Sequence, residues 1–214
     1  MKNQMFKLPV LLLALLLSSC AATYKPLRPE RLNYNAHDVQ DGTSLSYKYD
    51  VLRERGNRRY ANKEENKGVR IVAVKVTNNS DSDLIIGRNA AFFSGSTQLF
   101  PLEASVAQRM IRQSSASYLP YLLLTFVNLT VTKKDGSNIT QDVYPIGLAL
   151  GPGITIGNMA VASNANSNLL RDLMVNDLFD KKIKPGETMY GIIGLRGWDY
   201  KPLSLVRTAA GIDE

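Results

Sequence analysis

Val69-Arg70-Ile71-Val72-Ala73-Val74-Lys75-Val76-Thr77 alternates: Val72, Val74 and Val76 share one face, and Ile71, Ala73 and Lys75 take the other. β-Branched residues at a period of two predict a strand. Asn78-Asn79-Ser80-Asp81-Ser82-Asp83 follows. Asn and Asp bond their own backbone and tolerate left-handed conformations, so this stretch is a turn. Residues 84–87 are predicted to pair antiparallel across it with the valine strand, and residues 91–93 and 97–100 are shorter strands.

Upstream, Leu45, Tyr47 and Tyr49 alternate with Ser44, Ser46 and Lys48, as in a half-buried strand. Residues 53–68 read as a charged, solvated connection that ends in Gly68. Near the C-terminus, Lys184-Pro185-Gly186-Glu187 is a turn into a strand over 188–195, and a Gly-rich loop at 194–199 precedes a last strand over 203–208. Alternating strands need a second sheet to cover their apolar face, so the chain is expected to be mainly β. The order of valine-rich strand, Asn/Ser/Asp turn, strand, Pro-Gly turn and two final strands resembles small immunoglobulin-like antiparallel β-sandwiches of envelope lipoproteins. The β-sandwich domain is expected over residues 43–208.

An apolar α/β insertion is expected within it, at about 102–183. Residues 103–112 suit a helix with Val106, Met110 and Ile111 on its apolar side. Residues 113–132 and 143–170 carry no charge. Neither stretch reads as a membrane span, which takes about 20 apolar residues, because prolines, glycines and asparagines interrupt them. Val127, Leu129 and Val131 alternate with polar residues, and residues 139–144 can answer them across Lys133-Lys134-Asp135-Gly136, which predicts a β-hairpin. Gly147, Gly151, Gly153 and Gly157 form two small-xxx-small pairs around Pro152. They suit either close backbone approach in a contact surface or an irregular loop that packs on the sandwich. A helix is expected over about 153–179.

Cys20 is the only cysteine. It follows a basic start (Lys2, Lys7) and an apolar run at 8–17 that is too short to span a bilayer but suits a secretory leader. Leu17-Ser18-Ser19-Cys20 resembles the lipobox of bacterial lipoproteins. The resemblance implies a signal peptide over 1–19, cleavage before Cys20 and lipidation (palmitate among the acyl chains) of its thiol, leaving 195 of the 214 residues. It also implies that this thiol is unavailable for disulfide, nucleophilic or metal chemistry. Ala21-Ala22-Thr23-Tyr24 carries no acidic residue, and the same resemblance then implies the outer membrane with the domain facing the periplasm. Residues 20–42, with Pro26 and Pro29, read as a lipidated tether that would reach about 25 Å if flexible. Residues 209–214 read as a C-terminal tail.

The chain carries +7; removing residues 1–19 takes away Lys2 and Lys7 and no acids, leaving 24 basic against 19 acidic residues, or +5. In an exported, tethered protein this charge does not point to nucleic acid, and anionic headgroups are the better match. His37 is the single histidine, so a histidine-based triad or two-histidine metal site is not formed. Asp172, Asp177 and Asp180 read as solvated helix surface, and the Asp81-Ser82-Asp83 turn needs no calcium to explain it. No cofactor, metal or catalytic set is predicted.

The expected function is that of a non-enzymatic, lipid-anchored binding or scaffold module. Its partners are the membrane, through the anchor, and an envelope protein. Its contact surface draws on Tyr118, Tyr121, Leu122, Leu123, Phe126, the four glycines and Trp198. A carrier for an apolar ligand is the alternative, and a carboxylate-based hydrolase a third.

Overall fold

The structure, a computed structural model, describes residues 20–208. The leader over 1–19, including Leu17-Ser18-Ser19, and the tail at 209–214 lie outside the described residues. Helix and strand each take up about a third of the described residues. The described residues divide into two compact units, residues 20–23 with Gln113–Ala165 and Tyr24–Arg112 with residues 166–208.

The larger unit is built on a four-stranded antiparallel sheet in the order β1-β2-β3-β10, made of Ala36–Gln40, Thr43–Lys48, Val69–Asn78 and Thr188–Arg196. The valine strand is central, with Leu45 opposite Val76 and Tyr47 opposite Val74 on one side, and Ile193 opposite Val72 on the other. Facing residues in an antiparallel pair point to the same side of the sheet. One apolar face results, and it shares a single buried cluster with Phe92, Leu205 and Ile183. Those residues come from a three-stranded sheet, β11-β5-β6 (Ser204–Arg207, Ala90–Ser94, Thr97–Leu99), and from a short pair, β4-β9 (Leu84–Ile85, Lys182–Ile183). Each fully buried Leu, Ile or Val contributes about 1.5–3 kcal/mol, so this cluster is the main stabilising element of the unit.

Residues 84–87 therefore do not pair across the Asn/Ser/Asp turn. Leu84 lies opposite Ile183 instead. The turn is held by Asn78, fully buried, whose amide donates to the Ser82 and Ile183 carbonyls at 2.8 and 2.9 Å. Its Oδ1 accepts from the Ser80 hydroxyl at 2.7 Å and from Arg207 at 3.2 Å. That network steers the chain away from β3.

The opposite face of the sheet carries Ile71 and Ala73, which are also buried. Helices cover it. Residues 53–68, expected as a solvated connection, fall instead mostly in two helices, α1 (Val51–Glu54) and α2 (Arg58–Lys67), with α3 (Ala104–Ile111) beside them. Helix α2 buries Tyr60, Ala61 and Glu64 and ends at Gly68, whose φ of 59° gives the left-handed stop that favours glycine. In β10, Gly191 and Gly194 point to opposite faces. A Cβ on Gly191 would sit 2.3 Å from Leu178 Cγ, and one on Gly194 would sit 3.0 Å from Ala107 Cβ. The two glycines admit the core leucine on one side and helix α3 on the other.

Residues 24–40, expected as a tether, are built into the larger unit. Tyr24 and Leu27 are buried, and Ala36–Gln40 is strand β1, paired with β2. Lys25 N–H donates to Asn57 Oδ1 at 2.9 Å, and Asn57 Nδ2 donates back to the Lys25 carbonyl at 2.8 Å. Reciprocal main-chain anchoring of this kind leaves no slack for a flexible spacer.

The smaller unit contains a 3-10 segment (Ser115–Phe126), the hairpin β7-β8 (Leu129–Asp135, Asn138–Tyr144) and the first part of α4 (Gly147–Val175). The hairpin forms as expected, with Leu129 opposite Tyr144 and Asp135 opposite Asn138. Helix α4 begins earlier than expected, directly after the hairpin, so the glycine-rich stretch is helical rather than loop. Residues 104–111 and 166–183 of the expected insertion belong to the larger unit.

Candidate functional site

The smaller unit concentrates exposed apolar side chains. A 3-10 helix repeats every three residues, and this period sorts the segment Ser115–Phe126. Tyr118, Tyr121 and Leu124 turn inward onto Ala162, Ile154, Met159 and Ala21. Tyr118 and Tyr121 are only 2% and 4% exposed, so these two expected contact residues are core. Leu122, Leu123 and Phe126 turn outward; Leu123 is 70% exposed and Phe126 81%.

Gly147 and Gly151 explain how α4 packs beneath this segment. A Cβ on Gly147 would meet the Leu124 carbonyl oxygen at 2.2 Å, and one on Gly151 would meet Thr125 N at 2.7 Å. Of the two readings of these residues, close backbone approach is the one made here, and it is made within the unit. Gly153 and Gly157 face open space, so the second small-xxx-small pair makes no such approach. Leu148, Leu150 and Ile156 on α4 are exposed, as are Leu129, Val131, Ile139 and Val143 on the hairpin. Both faces of that hairpin are open, although a lone two-stranded hairpin is at best marginally stable in water.

Charge is sparse in the same unit. Across residues 20–23 and Gln113–Ala165 the charged side chains are Lys133, Lys134, Asp135 and Asp142. All four lie on the hairpin, where Lys133 Nζ is 3.2 Å from Asp142 Oδ2.

Cys20, exposed, opens the described chain at this unit. Ala21 N–H donates to Asn158 Oδ1 at 2.6 Å. Ala22 N–H donates to Gln113 Oε1 at 3.1 Å, and Gln113 Nε2 donates to the Ala22 carbonyl at 2.6 Å. Residues 21 and 22 are thereby stitched to α4 and to Gln113, which precedes the 3-10 segment. Sequence reading did not find this stitching, because Gln113 and Asn158 carry no pattern that marks them.

Trp198 is 61% exposed on its loop. Its ring lies over Gly68, where an added Cβ would be 2.8 Å from the indole, and its carbonyl accepts from Arg70 at 2.6 Å. Arg70 also sits 4.5 Å over the Tyr200 ring. The tryptophan belongs to the larger unit, whereas the other expected contact residues belong to the smaller one.

The larger unit holds a cavity of about 280 Å³ beside β10, lined by Leu102, Ala107, Leu173 and Phe179 with Glu103 and Asp177. The free edge of β10 is covered on either side of it. Leu102 N–H donates to the Gly194 carbonyl at 2.7 Å, and Ile192 N–H donates to the Asn176 carbonyl at 2.8 Å. Covering an edge in this way removes a template for unwanted strand pairing.

Of the titratable groups, Glu64 is the one buried carboxylate among the described residues. Burial pushes its carboxyl up to about 8, against the downward pull of the Ile71 N–H and Arg70. Its Oε1 accepts the Ile71 N–H at 2.5 Å, so it closes the α2-β3 turn. Asp180 pairs with Arg88 at 2.9 Å, Asp177 accepts the Phe179 N–H at 3.0 Å, and Asp172 accepts three hydrogen bonds. Among the described residues no group of three or more His, Cys, Asp or Glu side chains could hold a metal ion, and no helix is long and apolar enough to cross a membrane.

Comparison of the chain with family models, with curated proteins and with solved structures finds no match in any of the three.

Proposed function

We propose that this protein is a lipid-anchored envelope module, non-enzymatic, that works by contact through its smaller, apolar unit. The larger unit is read as an immunoglobulin-like sandwich that carries this contact surface, and the anchor is read as acyl chains on Cys20 in the outer membrane. The observation that carries the reading is the uneven distribution of side chains. Leu122, Leu123, Phe126, Leu148 and Ile156 are all exposed in a unit whose few charges are confined to one hairpin. Large exposed apolar surfaces mark interaction sites, because leaving each such side chain in water forgoes about 1.5–3 kcal/mol.

The carrier reading has in its favour the cavity beside β10. Two roomier hollows of the larger unit, of about 400 and 380 Å³, are more open and lined in part by charged side chains (Asp50, Glu54 and Lys201; Arg171 and Asp172). The volume of the cavity beside β10, about 280 Å³, falls at or below the lower end of small-molecule pockets, about 300–1,000 Å³. Such a space suits a small apolar group better than a lipid chain, so the contact reading is preferred.

Mass spectrometry of the chain extracted from its native membranes tests the anchor. The reading expects an N-terminal Cys20 peptide heavier by its acyl chains. A free thiol on Cys20, or a retained leader, overturns it. The same preparation tests the carrier alternative, since native mass spectrometry would reveal an apolar molecule that co-purifies at fixed stoichiometry.

A further inference from the structure

We infer that the occupant of the exposed apolar surface is the lipid leaflet itself, the one that holds the Cys20 acyl chains. The inference rests on the lipid-anchor reading and specifies what the smaller unit touches.

Three observations carry it. The first is position. Cys20 is followed at once by Ala21 and Ala22, whose main chains are hydrogen-bonded to Asn158 and Gln113 of the same unit. Acyl chains on Cys20 therefore leave the protein at the surface of this unit, with no spacer between the thioether and the fold. The second is composition. A surface meant for a protein partner keeps a polar rim and favours aromatic and arginine anchors at its centre. Here Tyr118 and Tyr121 turn inward, arginine is absent from residues 113–165, and the outward side chains are mostly aliphatic, with Phe126 and Tyr144 the exposed aromatics. The third is the place of the cations. Lys134 lies opposite exposed Ile139 near the hairpin turn, and Lys133, paired with Asp142, follows exposed Val131 on the same strand. Long basic side chains next to apolar ones suit an interface, with stems in the apolar layer and ammonium groups at the headgroups.

The physical picture is a unit that lies in the leaflet without crossing it. Its helix α4 contains Pro152, Asn158 and Asn164, and no helix among the described residues is long and apolar enough to span. Apolar side chains on the 3-10 segment and the start of α4 would sit among the upper acyl chains. Surface binding of this kind scales with buried apolar area and is reversible without a covalent anchor.

The experiment uses the chain from residue 20 onward with Cys20→Ala, which keeps every other described residue and removes only the site of acylation. It is mixed with vesicles of phosphatidylethanolamine and phosphatidylglycerol and floated on a density gradient. The inference expects a substantial vesicle-bound fraction. The further changes Leu123→Asp and Phe126→Asp, at exposed positions that leave the core intact, should lower the partition coefficient by about tenfold or more. Circular dichroism and thermal melts establish that the variants fold.

A Cys20→Ala chain that stays wholly with the aqueous fraction overturns the inference, as does a double variant that floats as well as its parent. A Cys20→Ala chain that forms a stable dimer instead of floating assigns the surface to a second copy and also overturns it. The mass of the native Cys20 peptide, measured in parallel, separates the two readings. Flotation with a bare native thiol upholds the lipid-facing surface and removes the anchor, whereas acylation without flotation removes the surface alone.

Discussion

Tyr24 Oη donates a 2.6 Å hydrogen bond to Asp172 Oδ2, joining the first residue of the larger unit to the last turns of α4. The same oxygen accepts Leu27 N–H at 2.8 Å, and Asn176 Nδ2 reaches Asp172 Oδ1 at 3.0 Å. Burial and the neighbouring carboxylate raise the Tyr24 hydroxyl far above its ordinary range, so it remains a donor throughout accessible pH. The carboxylate thus fixes the entry of the chain into the larger unit.

Asp172→Ala should cost about 1–3 kcal/mol of stability, since it strands a donor hydroxyl and a main-chain N–H, while Tyr24→Phe should cost about 1 kcal/mol. Urea denaturation measures both. Limited trypsin digestion should release the segment around Lys25, Arg28 and Arg31 faster from Asp172→Ala than from the parent chain. Equal cleavage rates would show that this carboxylate does not hold the segment.

Glu64 gives the fold a pH dependence of predictable sign. Its carboxyl titrates at about 8 when folded against an ordinary value of 4.5, so the native state binds a proton that the unfolded chain has released. Its contribution is fully present below the unfolded value, declines as pH rises between the two, and is flat above the folded one. Glu64→Gln keeps an oxygen for the Ile71 N–H and cannot ionise. The variant should be the more stable form at pH 9, by a few kcal/mol, with a shallower stability–pH curve. Melting temperatures across this pH range check it; parallel curves for the two proteins would contradict it.

The four glycines of α4 should divide into two pairs. Alanine at Gly147 or Gly151 forces a Cβ to within 2.3 Å of Leu124 or Thr125 atoms and should destabilise the smaller unit by about 1–3 kcal/mol or more. Alanine at Gly153 or Gly157 meets nothing within 4 Å and should stabilise the helix by about 0.5–1 kcal/mol. Hydrogen exchange of the α4 amides reads both signs in one measurement.

These positions also show what was legible in the chain. Val72, Val74 and Val76 announce their strand because a period of two has no other economical reading. The hairpin and the Asn/Ser/Asp turn are equally local and were found. Helix α2 was not, because its buried face is Tyr60, Ala61 and a carboxylate, and a glutamate inside a charged run reads as surface. The docking of residues 24–27 escaped for another reason. It depends on Asp172, which is 148 residues from Tyr24 in the sequence, and no local pattern encodes such a pairing. In the 3-10 segment the apolar character was plain, but the three-residue period that sends Tyr118 and Tyr121 inward was not anticipated.

The most direct measurement of where the smaller unit lies uses the chain's single tryptophan. With Trp198→Phe and Phe126→Trp together, the protein carries one indole, on the outward face of the 3-10 segment. Reconstituted into vesicles whose acyl chains are brominated near the headgroup, it should show blue-shifted emission and strong quenching. Emission at the wavelength of a water-exposed indole, unaffected by the brominated lipid, would contradict the account.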